Sequence, residues 1–436
     1  VSDEARVLDR VPAVAVVAAT VAANLAFEAA WGSAVFGGSP VWPALQAGVT
    51  AVALLVLLGR RDELRLPLVV SAGLVFCLGW IGVHLALGMP SDFDSAVVYP
   101  AQGRLLLSGH YPMSEYPPGA VLLFAFETFL GGDSARVPNA FLMVPFQGLT
   151  VAALWFLRST WAPWLALLVA VWPLNAFSME FKFDALPTAL TIVGLLLALR
   201  CRWAPAGVLF GLGAAVKWTP GLVAIGLVVW LVASRRPRDA VRLALSAGAA
   251  FLAINLPFLV ANPAAVLHAY SAQGRRGLTA ESMPYLLLRA FGLAHSRGPV
   301  WLPADVPGWA NAAAAALQAV ALACLIGVLI IVRGRLRAGI SVAGMLVVVF
   351  LLTNRVFSPQ YFIPLVSIWA AVAALGSSTA FRLKLLLLLA TVASFCNAMI
   401  YPGLSRLTPY FSVCLFASAV IITTALTISA VQLRDG

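Results

Sequence analysis

Apolar residues dominate this chain in long runs, and the runs return at lengths near the ~20 residues that cross ~30 Å of hydrocarbon. Read as helices, they predict spans near residues 12–32, 41–59, 67–88, 138–157, 162–177, 184–199, 204–216, 219–234, 242–259, 308–332, 338–352, 361–376, 384–400 and 411–432. The expectation is an all-α, polytopic integral membrane protein with about 14 transmembrane helices. Apolar segments fill nearly the whole chain and leave no room for a separate soluble domain, so residues 1–436 read as one membrane domain. The run over 11–30 is too long for a signal-peptide core and lacks a small-residue cleavage site, so it reads as the first span.

The polar interruptions are of two kinds. Short basic connections, GRRDELR (59–65), RCR (200–202), SRRPRDAVR (234–242), RGRLR (333–337) and FRLK (381–384), all fall on one side together with both termini. By the positive-inside rule that side is cytoplasmic. This assignment needs PPGAVLLFAFETFLG (117–131) not to span; at that length it reads as a re-entrant or juxtamembrane helix on the outer face. The outer face then gathers four polar segments: 89–137, 178–184 with nearby Lys217, 260–307 and 353–361.

Composition changes this picture little. With 62% hydrophobic and 10% charged residues, the net charge of +11 resides mostly in the inner connections, where it sets orientation and implies no nucleic-acid partner. Cys77, Cys201, Cys324, Cys396 and Cys414 form no CxxC pair, so neither a disulfide framework nor a metal site is expected, and nothing points to a cofactor.

Candidate chemistry centres on Asp92 and Asp94. On an extended segment two residues that far apart share a face, whereas in a helix they diverge by about 200°. A carboxylate in a water-filled membrane cavity suits general-base work on a hydroxyl; the plain alternative is a solvated loop. A DxD pair can hold a cation beside a nucleotide sugar, but that chemistry belongs on the cytoplasmic side. A lipid-phosphate leaving group needs cations, and Arg275, Arg276, Arg355 and Lys217 are predicted outside, the arginines with a fork suited to phosphate. Lys182 and Lys217, two of only three lysines, lie at outer helix ends, and Glu180 and Asp184 are candidate ion-pair partners of Lys182. His268, Arg275, Arg276 and Glu281 lead into an amphipathic stretch, 282–291. Gly207, Gly211 and Gly213 read as helix-packing positions because GLGAAVK lacks phosphate-loop spacing. His84 and Glu28 lie inside spans and carry no assigned role.

Several segments together resemble the polyprenyl-phosphate-sugar-dependent glycosyltransferases of the GT-C fold, in particular the mannosyltransferase-like family GT87. They are DSAVVYPAQGRLLLSGHYP with EYPPGAVLL, FKFDALPTAL, AGVLFGLGAAVKWTPGL, GRRGLTAES and NRVFSPQYFIPL, in that order between residues 92 and 365. The resemblance implies a GT-C core over 66–436, with a catalytic loop at 89–137 and an outer loop at 260–307. Residues 1–65 look like an added N-terminal helix pair. It further implies inverting transfer from a polyprenyl phosphate sugar, mannose first, to a glycolipid or lipoglycan among the lipids of a bacterial plasma membrane, on its extracytoplasmic face. Asp94 would be the base with Asp92 beside it, and Arg275, Arg276, Lys217 and Arg355 would hold the donor phosphate. Glu115, Tyr116, Tyr99, Asp184, Lys182, His268, Glu281, Asn354 and Gln360 would meet sugar or acceptor. An arabinofuranosyl or glucosyl donor fits the same residues, and a transporter or flippase of lipid-linked saccharides would share the span count and the cationic cavity.

Overall fold

The structure, a computed structural model, describes residues 11–36, 41–157, 159–296, 302–376, 381–385, 387–393 and a few positions between 417 and 424. Its helices, in chain order, are α1 (Ala13–Phe36), α2 (Val41–Leu58), α3 (Leu66–Ala86), α4 (Tyr99–Leu107), α5 (Pro118–Gly131), α6 (Arg136–Trp155), α7 (Ala162–Val171), α8 (Pro173–Phe181), α9 (Ala185–Leu199), α10 (Trp203–Val216), α11 (Thr219–Ala233), α12 (Pro237–Ala261), α13 (Pro263–Arg275), α14 (Met283–Ala290), α15 (Ala310–Ile331), α16 (Leu336–Thr353) and α17 (Phe362–Leu375).

Each expected span from 12–32 to 361–376 falls on one of these helices except 162–177, which is divided between α7 and α8; 384–400 is described only as far as 393, and 411–432 lies almost wholly outside the described residues, as do both chain ends. Six of the described helices are long and apolar enough to cross a membrane, and seven further apolar helices are shorter. Full crossing length is thus shown, among the described residues, for six of the expected spans. In three of the shorter helices, α5, α7 and α11, proline stands in the first turn, where its missing N–H costs nothing, so each starts abruptly. The run expected over 162–177 is broken for the same reason. Trp172 precedes Pro173 and takes φ −75°, ψ 119°, which ends α7 and restarts the chain as α8.

Close packing of small residues brings the site-bearing helices together. Gly207 and Gly211 lie directly against the backbone of α12 at Leu243 and Ala247, consistent with a packing role. Gly119, in the first turn of α5, leaves no space for a side chain: a Cβ there would sit 2.6 Å from the Ala215 carbonyl oxygen and 3.0 Å from the Val216 nitrogen. Gly119→Ala is expected to destabilise the protein by about 1–3 kcal/mol, because the obstacle is backbone that must move rather than a side chain that can rotate. A thermal melt of the purified chain checks this.

Several polar side chains inside the bundle find partners within it, which offsets the cost of burying them. Asn24 of α1 donates to Thr50 Oγ1 of α2 at 2.9 Å, and Gln46 Nε2 donates to the Asn24 carbonyl at 3.2 Å. The indole N–H of the fully buried Trp164 donates to the Leu54 carbonyl at 2.8 Å. At the periphery, α12 and α15 instead turn apolar side chains such as Leu245, Val260, Val320 and Ile331 outward, as lipid-facing helices do. The 117–131 run is helix α5, which starts against the end of α10 and ends beside the exposed Arg104–Asp133 pair, with α6 beginning a few residues on.

Candidate active site

Between α3 and α4 the chain coils into a π turn, Asp94–Val98, which runs straight into α4. The segment is not extended, contrary to the condition under which Asp92 and Asp94 would share a face. Phe93 is already helical (φ −61°, ψ −39°), and the Ala96 N–H donates to the Asp92 carbonyl at 3.0 Å. A wider π coil inserts one residue into the helical register and is often found at functional sites. Here both carboxylates still converge, because a single ammonium reaches between them: Lys182 Nζ pairs with Asp92 Oδ2 and Asp94 Oδ2.

The two carboxylates are not equivalent. Asp92 spends its other oxygen, Oδ1, on the Ser95 N–H at 2.9 Å and the Ser95 hydroxyl at 2.5 Å, capping the turn. Among the described residues nothing donates to Asp94 Oδ1, and the Asp94 side chain is 30% exposed against 17% for Asp92. One is tied down by its own loop, and the other keeps an accepting oxygen with no donor among the described residues.

Lys182 is placed by the chain around it. α8 ends at Phe181, Lys182 is extended (φ −131°, ψ 152°), and Asn139 Nδ2 of α6 donates to the carbonyls of Met179, Glu180 and Lys182 at 3.2, 3.1 and 3.4 Å. Neither sequence neighbour pairs with it, which corrects the expectation for Glu180 and Asp184. Glu180 is directed into the bundle, where it meets His84 and Arg136, while Asp184 accepts from Lys217 Nζ. Lys217 occupies the two-residue break between α10 and α11, its ammonium 4.6 Å from the Tyr361 ring centre and 5.6 Å from that of Phe183. A small pocket opens beside this pair, lined by Thr188, Thr191, Thr219 and Tyr361 among others.

Tyr99 underlies the site. It is 1% exposed, stacks on Phe124 at 4.1 Å and 8°, and meets the edges of Tyr116 and Phe183. Burial, reinforced by Tyr116 and the nearby Asp94 and Asp92 carboxylates, holds its phenol protonated. So buried, it forms a floor under the two aspartates; Tyr116 is only partly covered.

The remaining candidates form a rim. Arg276 pairs with Glu115 at 3.2 Å, and Arg355 donates from Nη2 to the Gly274 carbonyl at 2.5 Å while its own carbonyl accepts the Thr279 N–H at 3.0 Å. The loop between α13 and α14 is thereby strapped to the segment between α16 and α17. Arg275 is exposed and donates to Ser271 Oγ at 3.0 Å. His268, Asn354 and Gln360 are half-buried, with no side-chain hydrogen bond to another described residue. Glu281 is different: it is buried, and that burial pushes its carboxyl up to about 8, against the opposing pull of Arg276 and Lys182 and with a small addition from Asp94. From its ordinary range up to about 8, the unfolded chain loses this proton and the folded chain keeps it, so rising pH erodes stability across that window. Glu281→Gln is expected to flatten the fall in melting temperature between about pH 5 and pH 8.

Arg136 and Asn139, which fix the Lys182 turn, were not among the sequence candidates. The available signals were charges set within or at the ends of apolar runs: Glu28, His84 and Arg136.

The fold and the site together define a multi-pass helical membrane protein with charged groups from distant segments gathered at one end of the bundle. The chain belongs to glycosyltransferase family 87, whose family model matches residues 115–359, more than half of the sequence. The match includes Lys182, Asp184, Lys217 and the rim residues except Gln360, and it begins after the Asp92–Asp94 turn. Comparisons with curated proteins and with solved structures give no match.

Proposed function

We propose that this glycosyltransferase moves a sugar, mannose first among the candidates, from a polyprenyl phosphate to a hydroxyl of a glycolipid or lipoglycan, with inversion, at the outer face of a bacterial plasma membrane. The observation that carries this reading is the clamped pair of aspartates: Lys182 holds one oxygen of each, Ser95 occupies the second oxygen of Asp92, and Asp94 Oδ1 is left to accept a proton. In the proposed step the acceptor hydroxyl gives its proton to Asp94 Oδ1 as its oxygen attacks the anomeric carbon. The bond from that carbon to the phosphate oxygen breaks, and the lipid phosphate leaves with the electron pair. Lys217, Arg276 and Arg355 are the cations proposed to meet the charge that develops there, with Arg275 further out; fixed charges in a site of low dielectric are a large catalytic term. Glu281, in its protonated form, can donate to a sugar oxygen, and Asp184, Glu115, Asn354, Gln360 and His268 are proposed partners for the remaining hydroxyls.

The experiment uses the purified full chain in liposomes, with labelled synthetic polyprenyl phosphates of mannose, glucose and arabinofuranose and a membrane glycolipid fraction as acceptor. Transfer from one of these donors, and not from a nucleotide sugar, is the expected result. Movement of labelled donor between leaflets without any transfer would instead favour a transporter.

A further inference from the structure

Behind the aspartates lies a set of buried charges that the proposed chemistry does not use. Glu28 of α1, His84 of α3 and Glu180 of α8 are each 4% exposed or less, and Arg136, at the start of α6, is 7% exposed. His84 Nδ1 faces Glu180 Oε2 at 2.5 Å and Nε2 faces Glu28 Oε1 at 2.5 Å. Arg136 donates to Glu180 Oε1 from Nε at 2.8 Å and from Nη2 at 2.5 Å, and its Nη1 donates to the Met89 carbonyl. With both carboxylates ionised, each can only accept, so the ring between them then carries both protons and the two positive and two negative charges cancel. Buried charges are costly unless paired, and each of these four side chains faces an oppositely charged or proton-bearing partner.

What the array touches gives it a purpose. Met89 lies three residues before Asp92, and Glu180 lies two before Lys182, so the single guanidinium of Arg136 ties the strand entering the aspartate turn to the turn that carries the clamping lysine. Glu180 is in turn braced from behind by His84, and His84 by Glu28. We infer that Glu28, His84, Glu180 and Arg136 are positioning residues that set Lys182 against Asp94, and that α1 is thereby a working part of the site rather than an accessory helix. The inference rests on the reading of Asp94 and Lys182 given above, but its structural half can be tested without it.

The test reads two quantities on the purified full chain: the rate at which Lys182 reacts with an amine-acetylating reagent, followed by mass spectrometry with Lys217 as internal reference, and the steady-state constants for transfer from a polyprenyl phosphate sugar. Glu28→Leu is expected to raise Lys182 labelling several-fold with Lys217 unchanged, and to lower kcat by about 10–100-fold with little change in KM, as a displaced reacting group does. Glu28→Gln is expected to recover most of both, because its amide can donate to Nε2 of a singly protonated ring. Arg136→Lys keeps the charge but loses the fork that reaches Glu180 and Met89 together, and is expected to behave like Glu28→Leu. A helix that merely adds stability would lower the melting temperature and leave Lys182 labelling and kcat alone; that result in Glu28→Leu, or in Arg136→Lys should the first variant not fold, overturns the proposal. If labelling responds as expected while no lipid phosphate sugar is turned over, the array stands and the transferase chemistry falls.

Discussion

Asp94→Asn should reduce transfer by about 10²–10⁴-fold, the range that a positioned general base contributes. The substitution keeps shape and polarity and removes only the capacity to take a proton, so donor binding and folding should persist. Asp92→Asn should cost far less. An asparagine oxygen can still cap Ser95, and Asp94 keeps its share of the Lys182 ammonium. Single-turnover transfer with labelled polyprenyl phosphate sugar, alongside a donor-binding measurement, separates the two variants. An inactive Asp92→Asn beside an active Asp94→Asn would reverse their roles and make Asp92 the base.

The second large effect is expected at Lys217, where two consequences can be separated. Lys217→Met leaves Asp184, which is almost fully buried, without its partner, and breaking such a pair costs about 3–5 kcal/mol. It also removes a cation proposed to meet the leaving phosphate. Adding Asp184→Asn to Lys217→Met removes the stranded charge, so the double variant should regain most of the lost melting temperature. Transfer should not return with it, because the departing phosphate still lacks its ammonium. Recovery of both stability and activity in the double variant would mean that Lys217 only neutralises Asp184. Melting curves and initial rates on the wild type, the single variants and the double variant form the complete cycle.

Both results depend on pairings that local spacing does not disclose. Glu180 and Asp184 each stand two residues from Lys182, close enough in sequence to be natural partners for it, yet α8 and the start of α9 aim them elsewhere. Asp92 and Asp94 were readable as a candidate base and its neighbour because carboxylates beside an apolar run are rare and costly. Which of them keeps a free oxygen was not readable, since it depends on a cap to Ser95 and on a π turn whose hydrogen bonds leave no composition signature. The Pro173 break is present in the sequence but is masked by the hydrophobicity on either side of it.

By itself the sequence determined where apolar runs become helices, which connections carry the basic charge and which few polar side chains must have a purpose in so greasy a chain. Those are consequences of local hydropathy and of the cost of burying charge, and both can be read residue by residue. The tertiary structure alone decided that Lys182 clamps Asp92 and Asp94, that Lys217 takes Asp184, and that Glu28 and His84 reach the same end of the bundle through Glu180. These partners lie tens of residues apart along the chain. They meet only because close helix packing, at positions such as Gly119, Gly207 and Gly211, sets the distances between helices, and those distances are a property of all the helices at once.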